Sequence, residues 1–285
     1  MTTRKSRSSS KKKKTVRKKR PPKFTAETAD KHILYQHSVQ DPKFEISLLN
    51  RIFKRRRDRV PMTLREDFCG TALMCGTWVE SKKGRTAVGI DLDPAVLAWG
   101  IEHNLAPIGE PGNRVKLLEQ NVLKPVRGSF DLAVGFNFSY WIFRERKDLL
   151  KYFKSVYRSL DEDGMFFVDA YGGPDGMAPI EEPRDIDEGF TYIWDQDSFD
   201  PIDHSVVNYI HFEFKDGSEM RKAFTYEWRF WTLPEIKELL LEAGFSDVTV
   251  YWEDADEDGD GNGVFRPRAH VAQETAWICY LAAEK

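Results

Sequence analysis

The chain has 285 residues, 41% of them hydrophobic and 31% charged, with a formal net charge of −3. That is enough chain for one large or two small domains with a substantial core, and it contains no apolar run near the roughly 18–20 residues of a membrane-spanning helix. Its three cysteines, Cys69, Cys75 and Cys279, form no paired motif, which argues against a zinc site or a disulfide framework and suits a reducing compartment.

The charge is unevenly placed. Residues 1–20 carry 11 Lys/Arg and no acid, so the rest of the chain is markedly acidic. A segment so basic and so poor in apolar residues has no core to join and is expected to be disordered through residue 22. It is either a solubilising tail or a contact for nucleic acid, an acidic surface or a nuclear-import receptor. The acidic remainder argues against a body that wraps RNA. No apolar segment follows the basic stretch, so the sequence shows no secretory signal and points to the cytoplasm, or to the nucleus in a eukaryote.

From Phe24 to Arg57 the pattern is helical, with Ile46, Leu49, Ile52 and Phe53 on one face. Strands and helices then alternate. Strands are predicted at 60–66, 86–92, 114–122, 130–138 and 164–171, and helices at 72–82, from Pro94 to about Asn104, and at 146–160. This alternation predicts a doubly wound α/β sheet, mostly parallel, with helices on both faces. After Tyr171 the signal becomes antiparallel: strands at 190–199 and 205–214, a turn at Lys215-Asp216-Gly217-Ser218, and a return strand over 219–231. Thr232-x-x-Glu235 opens a helix that Gly244 closes. Strands at 247–252 and 276–284 complete a seven-stranded sheet with its last pair antiparallel. The domain is expected over 23–285, with 190–231 inserted as a β-hairpin lid.

The stretch Arg65-Glu66-Asp67-Phe68-Cys69-Gly70-Thr71-Ala72 leaves the first strand and enters the first helix of the sheet, where open α/β sheets bind ligands. Gly70 allows close approach of the backbone, and the helix start offers free N–H groups. Glu66 and Asp67 would repel a pyrophosphate. They suit instead a cationic adenosine ligand such as S-adenosylmethionine. Asp91, followed by Leu92, ends the second strand, where a carboxylate can take both ribose hydroxyls. Asn121 and Val122 end the third strand, suited to an adenine edge, and Asn137, Phe138 and Tyr140 follow the fourth.

These strand ends together resemble the class I S-adenosylmethionine-dependent methyltransferases, by motif over about 60–170 and by element order over 171–285. The resemblance implies a Rossmann-like sheet, S-adenosylmethionine as cofactor, and transfer of its methyl group to an O or N nucleophile. It implies that Glu66 or Asp67 holds the methionine amine and that Phe68, Cys69, Gly70, Thr71 and Ala72 line its tail. Asp91 and Leu92 would serve the ribose, and Asn121 and Val122 the adenine. Asn137 and Phe138 would lie beside the cofactor, and Tyr35 or Gln40, on a preceding helix, would either reach its carboxylate tail or be merely structural. The family's acid-x-Gly-x-Gly-x-Gly loop keeps only Gly70, with Phe68 and Ala72 at the other two glycine positions.

Candidate catalytic residues are Asn137, Tyr140, Tyr171, His211 and Tyr226, with Glu227 a further conceivable base; His211 and Tyr226 lie on the inserted strands. Phe224, Tyr226, Trp228 and Phe230 alternate onto one face of that insert, either as core or as a lid. The acid-rich stretch at 254–263 has the opening of a calcium loop but Phe265 where a glutamate is needed, so a solvated loop and no metal is expected. A small-molecule acceptor is the leading reading. Alternatives are an RNA or protein methyltransferase using the basic tail, a non-catalytic nucleic-acid-associated protein, and an NAD-dependent oxidoreductase. The sequence leaves the oligomeric state open.

Overall fold

The computed structural model describes residues 23–256 and 261–285. The expected tail at 1–22 and part of the acid-rich stretch lie outside the described residues. No helix among the described residues is long and apolar enough to cross a membrane.

Two helices open the described region where one helical stretch was expected. α1 (Lys31–Val39) starts at Asp30, whose carboxylate accepts the N–H groups of His32 and Ile33. α2 (Pro42–Arg57) starts at Asp41, which caps Phe44, with Pro42 in the first turn. Proline cannot continue a helix from the preceding turn, so the break falls there. The core sheet then builds from β1 (Thr63–Asp67), α3 (Leu73–Ser81), β2 (Thr86–Asp91), α4 (Pro94–Gly100), β3 (Val115–Glu119), β4 (Phe130–Gly135), α5 (Arg146–Ser159) and β5 (Leu160–Gly172).

A second, four-stranded antiparallel sheet follows: β6 (Ile180–Ile186), β7 (Phe190–Phe199), β8 (Ser205–Phe214) and β9 (Glu219–Arg229). The insert therefore begins before residue 190, where the pattern of the sequence places its start, and β6, "IEEPRDI", is an additional strand. That strand is almost wholly exposed, and its proline and charges are what an edge strand carries, without the alternation that marks a half-buried strand. α6 (Leu233–Ala243) has the capping box expected at Thr232 and Glu235, and Gly244 closes it in the left-handed region at φ 120°. β10 (Asp247–Ala255), β11 (Gly261–Pro267) and β12 (Trp277–Glu284) end the chain.

The large sheet has the order β11-β10-β12-β5-β4-β1-β2-β3. β1 pairs in parallel with both β2 and β4, and β12 runs antiparallel between β5 and β10. The seven expected strands are present in this arrangement. β11 is an eighth, hydrogen-bonded to β10, within a region read from sequence as loop. Its Phe265 is buried against Tyr280 and Phe44, and Asp254 pairs with Arg266 and Arg268.

The two faces of the sheet are covered by separate apolar clusters. α2, α3 and α4 contribute Ile46, Phe53, Trp78 and Leu97 to one. α5 and α6 contribute Leu149, Phe153, Leu239 and Leu240 to the other. Strand order reverses between β1 and β4, and that switch point opens a crevice at the carboxyl ends of the strands. The four-stranded sheet and α1 pack on each other through Leu34, Phe190, Ile210 and Phe212, beside that crevice.

Candidate active site

The turn from β1 into α3 keeps the backbone of a glycine-rich loop without its glycines. Phe68, Gly70 and Ala72 have φ of 56°, 49° and 54°, the left-handed region in which a side chain costs roughly 1–2 kcal/mol per residue. Alternate residues are therefore all left-handed, and two of the three carry a Cβ. The ring of Phe68 turns away to the α5 face, 5.6 Å from Tyr152 and 6.1 Å from Phe143 between centroids. Ala72 is fully buried. The loop is held from several sides. Asp91 accepts the Gly70 N–H at 2.8 Å, Gln36 of α1 donates to the Thr71 hydroxyl at 2.8 Å, and Asn104 donates to the Thr71 carbonyl at 2.7 Å.

The two acids before the loop part company because neighbouring strand residues face opposite sides. Asp67 shares a face with Arg65, and the two form a fully buried ion pair at 2.8 Å. Tyr152 donates to the other Asp67 oxygen at 2.9 Å, while Arg65 also donates to Ser159 and to the Val122 carbonyl. Asp67 is thus tied into a network under the sheet, away from the crevice. Glu66 turns to the other side and accepts the Cys75 N–H at 2.9 Å in the first turn of α3. Burial pushes its carboxyl up to about 7, against the lowering effect of the Cys75 bonds, and the nearby charges of Asp91 and Asp67 push the same way.

Of the remaining cofactor candidates, Asp91 and Asn121 are partly exposed at the ends of β2 and β3. Leu92 is 62% exposed. Val122 is buried, its carbonyl taken by Arg65 and Ser155. Cys69 is buried beneath Gly89, and burial raises its thiol well above the ordinary value, so its side chain does not line the crevice. Gln120, beside Asn121, has a buried Nε2 without a hydrogen-bond partner, a donor left over at the strand ends where an adenine edge would lie. The Asp91 carboxylate at the end of β2, an acceptor, and this spare amide, a donor, fit an adenosine ligand.

Next to the crevice is a cavity of about 610 Å³ roofed by the small sheet. Tyr35, Asn137, Phe138, Tyr171 and Tyr226 all line it. Asn137 and Phe138 are consecutive left-handed residues at φ 55° and 56°, and Asp169 of β5 holds both by accepting their N–H groups at 2.7 and 2.9 Å. Burial lifts Asp169 to about 7 in spite of those bonds. Tyr35 and Tyr226 both line the cavity, so Tyr35 belongs to its wall and Gln36 is the α1 residue that touches the loop. Tyr171 receives a long bond from Asn208 at 3.5 Å and stacks on Trp141 at 4.7 Å. Of the insert's aromatic face, Tyr226 and Trp228 line the cavity, Phe224 packs on Tyr35 and Phe230 is core.

Two candidate bases are placed elsewhere. Tyr140 is fully buried, and its hydroxyl donates to the Asp169 carbonyl at 2.9 Å, tying the β4 loop to β5. His211 is fully buried on the opposite face of the small sheet from the cavity-lining Ile210. Its Nδ1 accepts the Lys222 N–H at 2.6 Å, and Nε2 faces Asp195 at 2.9 Å. That arrangement puts the ring proton on Nε2. Glu181, Asp195 and His211 are close enough to hold an ion, yet the nitrogen that would ligate it carries a proton directed at Asp195.

No protein-family model matches the chain. A protein of Bacillus subtilis (strain 168), YqeM, provisionally described as a methyltransferase, is 27% identical over 205 residues, covering 68% of this chain and 80% of its own. Among solved structures, an S-adenosylmethionine-dependent methyltransferase from Clostridium acetobutylicum matches with a TM-score of 0.64 at 19% identity, over 89% of this chain and 96% of that one. CalS10, an amino pentose methyltransferase of Micromonospora echinaspora, was solved with S-adenosylmethionine bound. It matches with a TM-score of 0.62 at 13% identity, over 94% and 99% of the two chains. The fold is that of the class I S-adenosylmethionine-dependent methyltransferases.

Proposed function

We propose that the protein is an S-adenosylmethionine-dependent methyltransferase acting on a small molecule. The observation that carries this reading is the β1–α3 turn, left-handed at Phe68, Gly70 and Ala72 and tied through Gly70 to Asp91. A backbone that adopts this form against the preference of two of its own side chains is kept for close approach to a ligand. Glu66 behind the loop disfavours a pyrophosphate and suits a ligand bearing an ammonium and a sulfonium.

When bound, S-adenosylmethionine would supply an electrophilic methyl group on its sulfonium. Asp91 would hold the ribose, Asn121 and Gln120 the adenine edge, and the loop the methionine tail. The chain's own contribution is chiefly placement: Asp169 fixes Asn137 and Phe138 between crevice and cavity, and the small sheet excludes water. With its carboxyl near 7, Asp169 also lies where a proton can be accepted at neutral pH. The cavity's size favours a small acceptor over a nucleic acid strand.

Isothermal titration with S-adenosylhomocysteine tests the reading. Saturable heat that is lost in Asp91→Ala supports it, and no heat with the wild-type chain overturns it. NAD in place of S-adenosylhomocysteine separates the oxidoreductase alternative. Salt-sensitive RNA binding that disappears on deleting residues 1–20, with S-adenosylhomocysteine binding intact, would assign nucleic-acid contact to the tail alone.

A further inference from the structure

The cavity beside the crevice is lined by acids and aromatic rings. Glu45, Asp169, Asp175, Glu182 and Glu253 line it, and Arg184 is the only base among its described lining residues. Arg184 is already engaged, donating to the Ser38 carbonyl and lying 5.3 Å from the centre of the Tyr192 ring. Asp169 receives two N–H groups and Glu253 receives that of Gly263. The carboxylate of Glu45, in the first turn of α2 and half-buried, has no hydrogen-bond or ion-pair partner among the described residues. Its strongest charged neighbours are the like charges of Asp169 and Glu66, which together with burial raise its carboxyl well above the ordinary range. A carboxyl that burial and like charges hold protonated ionises at little cost only when a cation joins it.

The walls have the complementary chemistry. Trp194, Tyr226 and Trp228 form a continuous aromatic surface, with centroids 6.0 Å apart for Trp194–Tyr226 and 4.4 Å for Tyr226–Trp228. Aromatic faces attract cations by about 0.5–2 kcal/mol each. A neutral hydroxyl acceptor would gain little from them and would bring no charge to meet a Glu45 carboxylate.

We propose that Glu45 and the Trp194–Tyr226–Trp228 wall form a binding site for a cationic amine, and that the methyl acceptor is such an amine: its nitrogen gives up a proton to a cavity carboxylate or water, and the freed lone pair takes the sulfonium methyl as the S–CH3 bond breaks and S-adenosylhomocysteine leaves. This rests on the methyltransferase reading. The methionine ammonium of the cofactor has the same charge chemistry, so the test must tell the two apart.

Tetramethylammonium serves as the probe and tert-butanol as its neutral counterpart, titrated against the full chain with tryptophan fluorescence as readout. The expected result is saturable quenching by the cation alone, retained when S-adenosylhomocysteine is saturating. In Glu45→Gln the cation affinity should fall about tenfold or more, with affinity for S-adenosylhomocysteine unchanged. Tyr226→Leu, which keeps both reporter tryptophans, should weaken the cation and spare S-adenosylhomocysteine in the same way, and it stands in if Glu45→Gln fails to fold. Equal responses to cation and alcohol would overturn the proposal, as would unchanged cation affinity in both variants. Loss of S-adenosylhomocysteine affinity in Glu45→Gln, with cation binding competed away by S-adenosylhomocysteine, would instead assign Glu45 to the cofactor. Absence of S-adenosylhomocysteine binding by the wild-type chain would be a failure of the methyltransferase reading itself, and the cation titration reports separately from it.

Discussion

The Asp91 carboxylate at the end of β2 accepts the backbone N–H of Gly70 at 2.8 Å, 21 residues earlier in the chain. One side chain thus links the acid expected to hold a ribose to the loop expected to hold a methionine tail. Its second oxygen accepts the Asp93 N–H at 3.0 Å and so also fixes the entry to α4. Asp91→Ala should therefore remove ligand contacts and slacken the loop together. With charge-assisted hydrogen bonds worth about 1.5–3 kcal/mol each, the expected loss of S-adenosylhomocysteine affinity is about 100-fold. Asp91→Asn should lose less, because its amide oxygen can still accept from Gly70. Calorimetry on the three proteins gives the ranking.

Glu66 and Asp67 are neighbours in sequence with separate tasks, and variants should divide accordingly. Removing Asp67 leaves Arg65 charged and fully buried with only neutral partners. Breaking such a pair costs about 3–5 kcal/mol. Asp67→Ala should lose that much in urea denaturation. Glu66→Gln keeps an acceptor for the Cys75 N–H and removes a charge already disfavoured by burial. It should cost little stability and act on ligand affinity instead. A stable Asp67→Ala protein with weakened ligand binding would reverse the assignment.

Strand ends were legible in the sequence because their residue types break an apolar run, as Glu66 and Asp91 do. The face on which each acid lies was not, since a one-residue change of register exchanges Glu66 with Asp67. Asp169 did leave a signal: it is an acid inside the apolar strand "FFVDAY", yet an acid there can as well be a satisfied core group. Glu45 left none, because one acid in the first turn of a helix is ordinary. β6 was invisible for a related reason, its residues having no buried face to alternate with. His211 and Tyr140 look like catalytic residue types, and only the fold shows that each is buried in a backbone-bracing role.

The left-handed loop predicts an unusual response to glycine. Ala72 has φ 54° and precedes α3 without a side-chain cap. Glycine there would relieve roughly 1–2 kcal/mol of backbone strain and lose the burial of one methyl group, about 0.8 kcal/mol. Ala72→Gly should be neutral or stabilising by up to about 1 kcal/mol. Gly100→Ala should do the opposite, because a Cβ there would meet the Thr71 carbonyl oxygen at 2.3 Å and push the loop away. Thermal unfolding of both variants, with and without S-adenosylhomocysteine, measures the two effects.

Asp169 makes stability depend on pH in a stated direction. Burial raises its carboxyl from the ordinary 3.8 to about 7, with the N–H groups of Phe138 and Asn137 opposing that rise. Between those values the folded chain keeps a proton that the unfolded chain has released, so raising the pH favours the unfolded state. The contribution is full below about pH 4 and is lost as pH rises through about 7. Glu66, also lifted to about 7 by burial, acts with the same sign. A tenfold difference in proton affinity between folded and unfolded chain corresponds to about 1.4 kcal/mol. Asp169 alone should therefore make the ligand-free protein weaker at pH 8 than at pH 5 by roughly 2–3 kcal/mol. Asp169→Asn removes the titration and should flatten that slope, while its lost bond to one backbone N–H lowers stability by about the same amount at both pH values. The measurement is urea unfolding of wild type and variant at the two pH values; parallel slopes would show that Asp169 is ionised in the folded chain throughout.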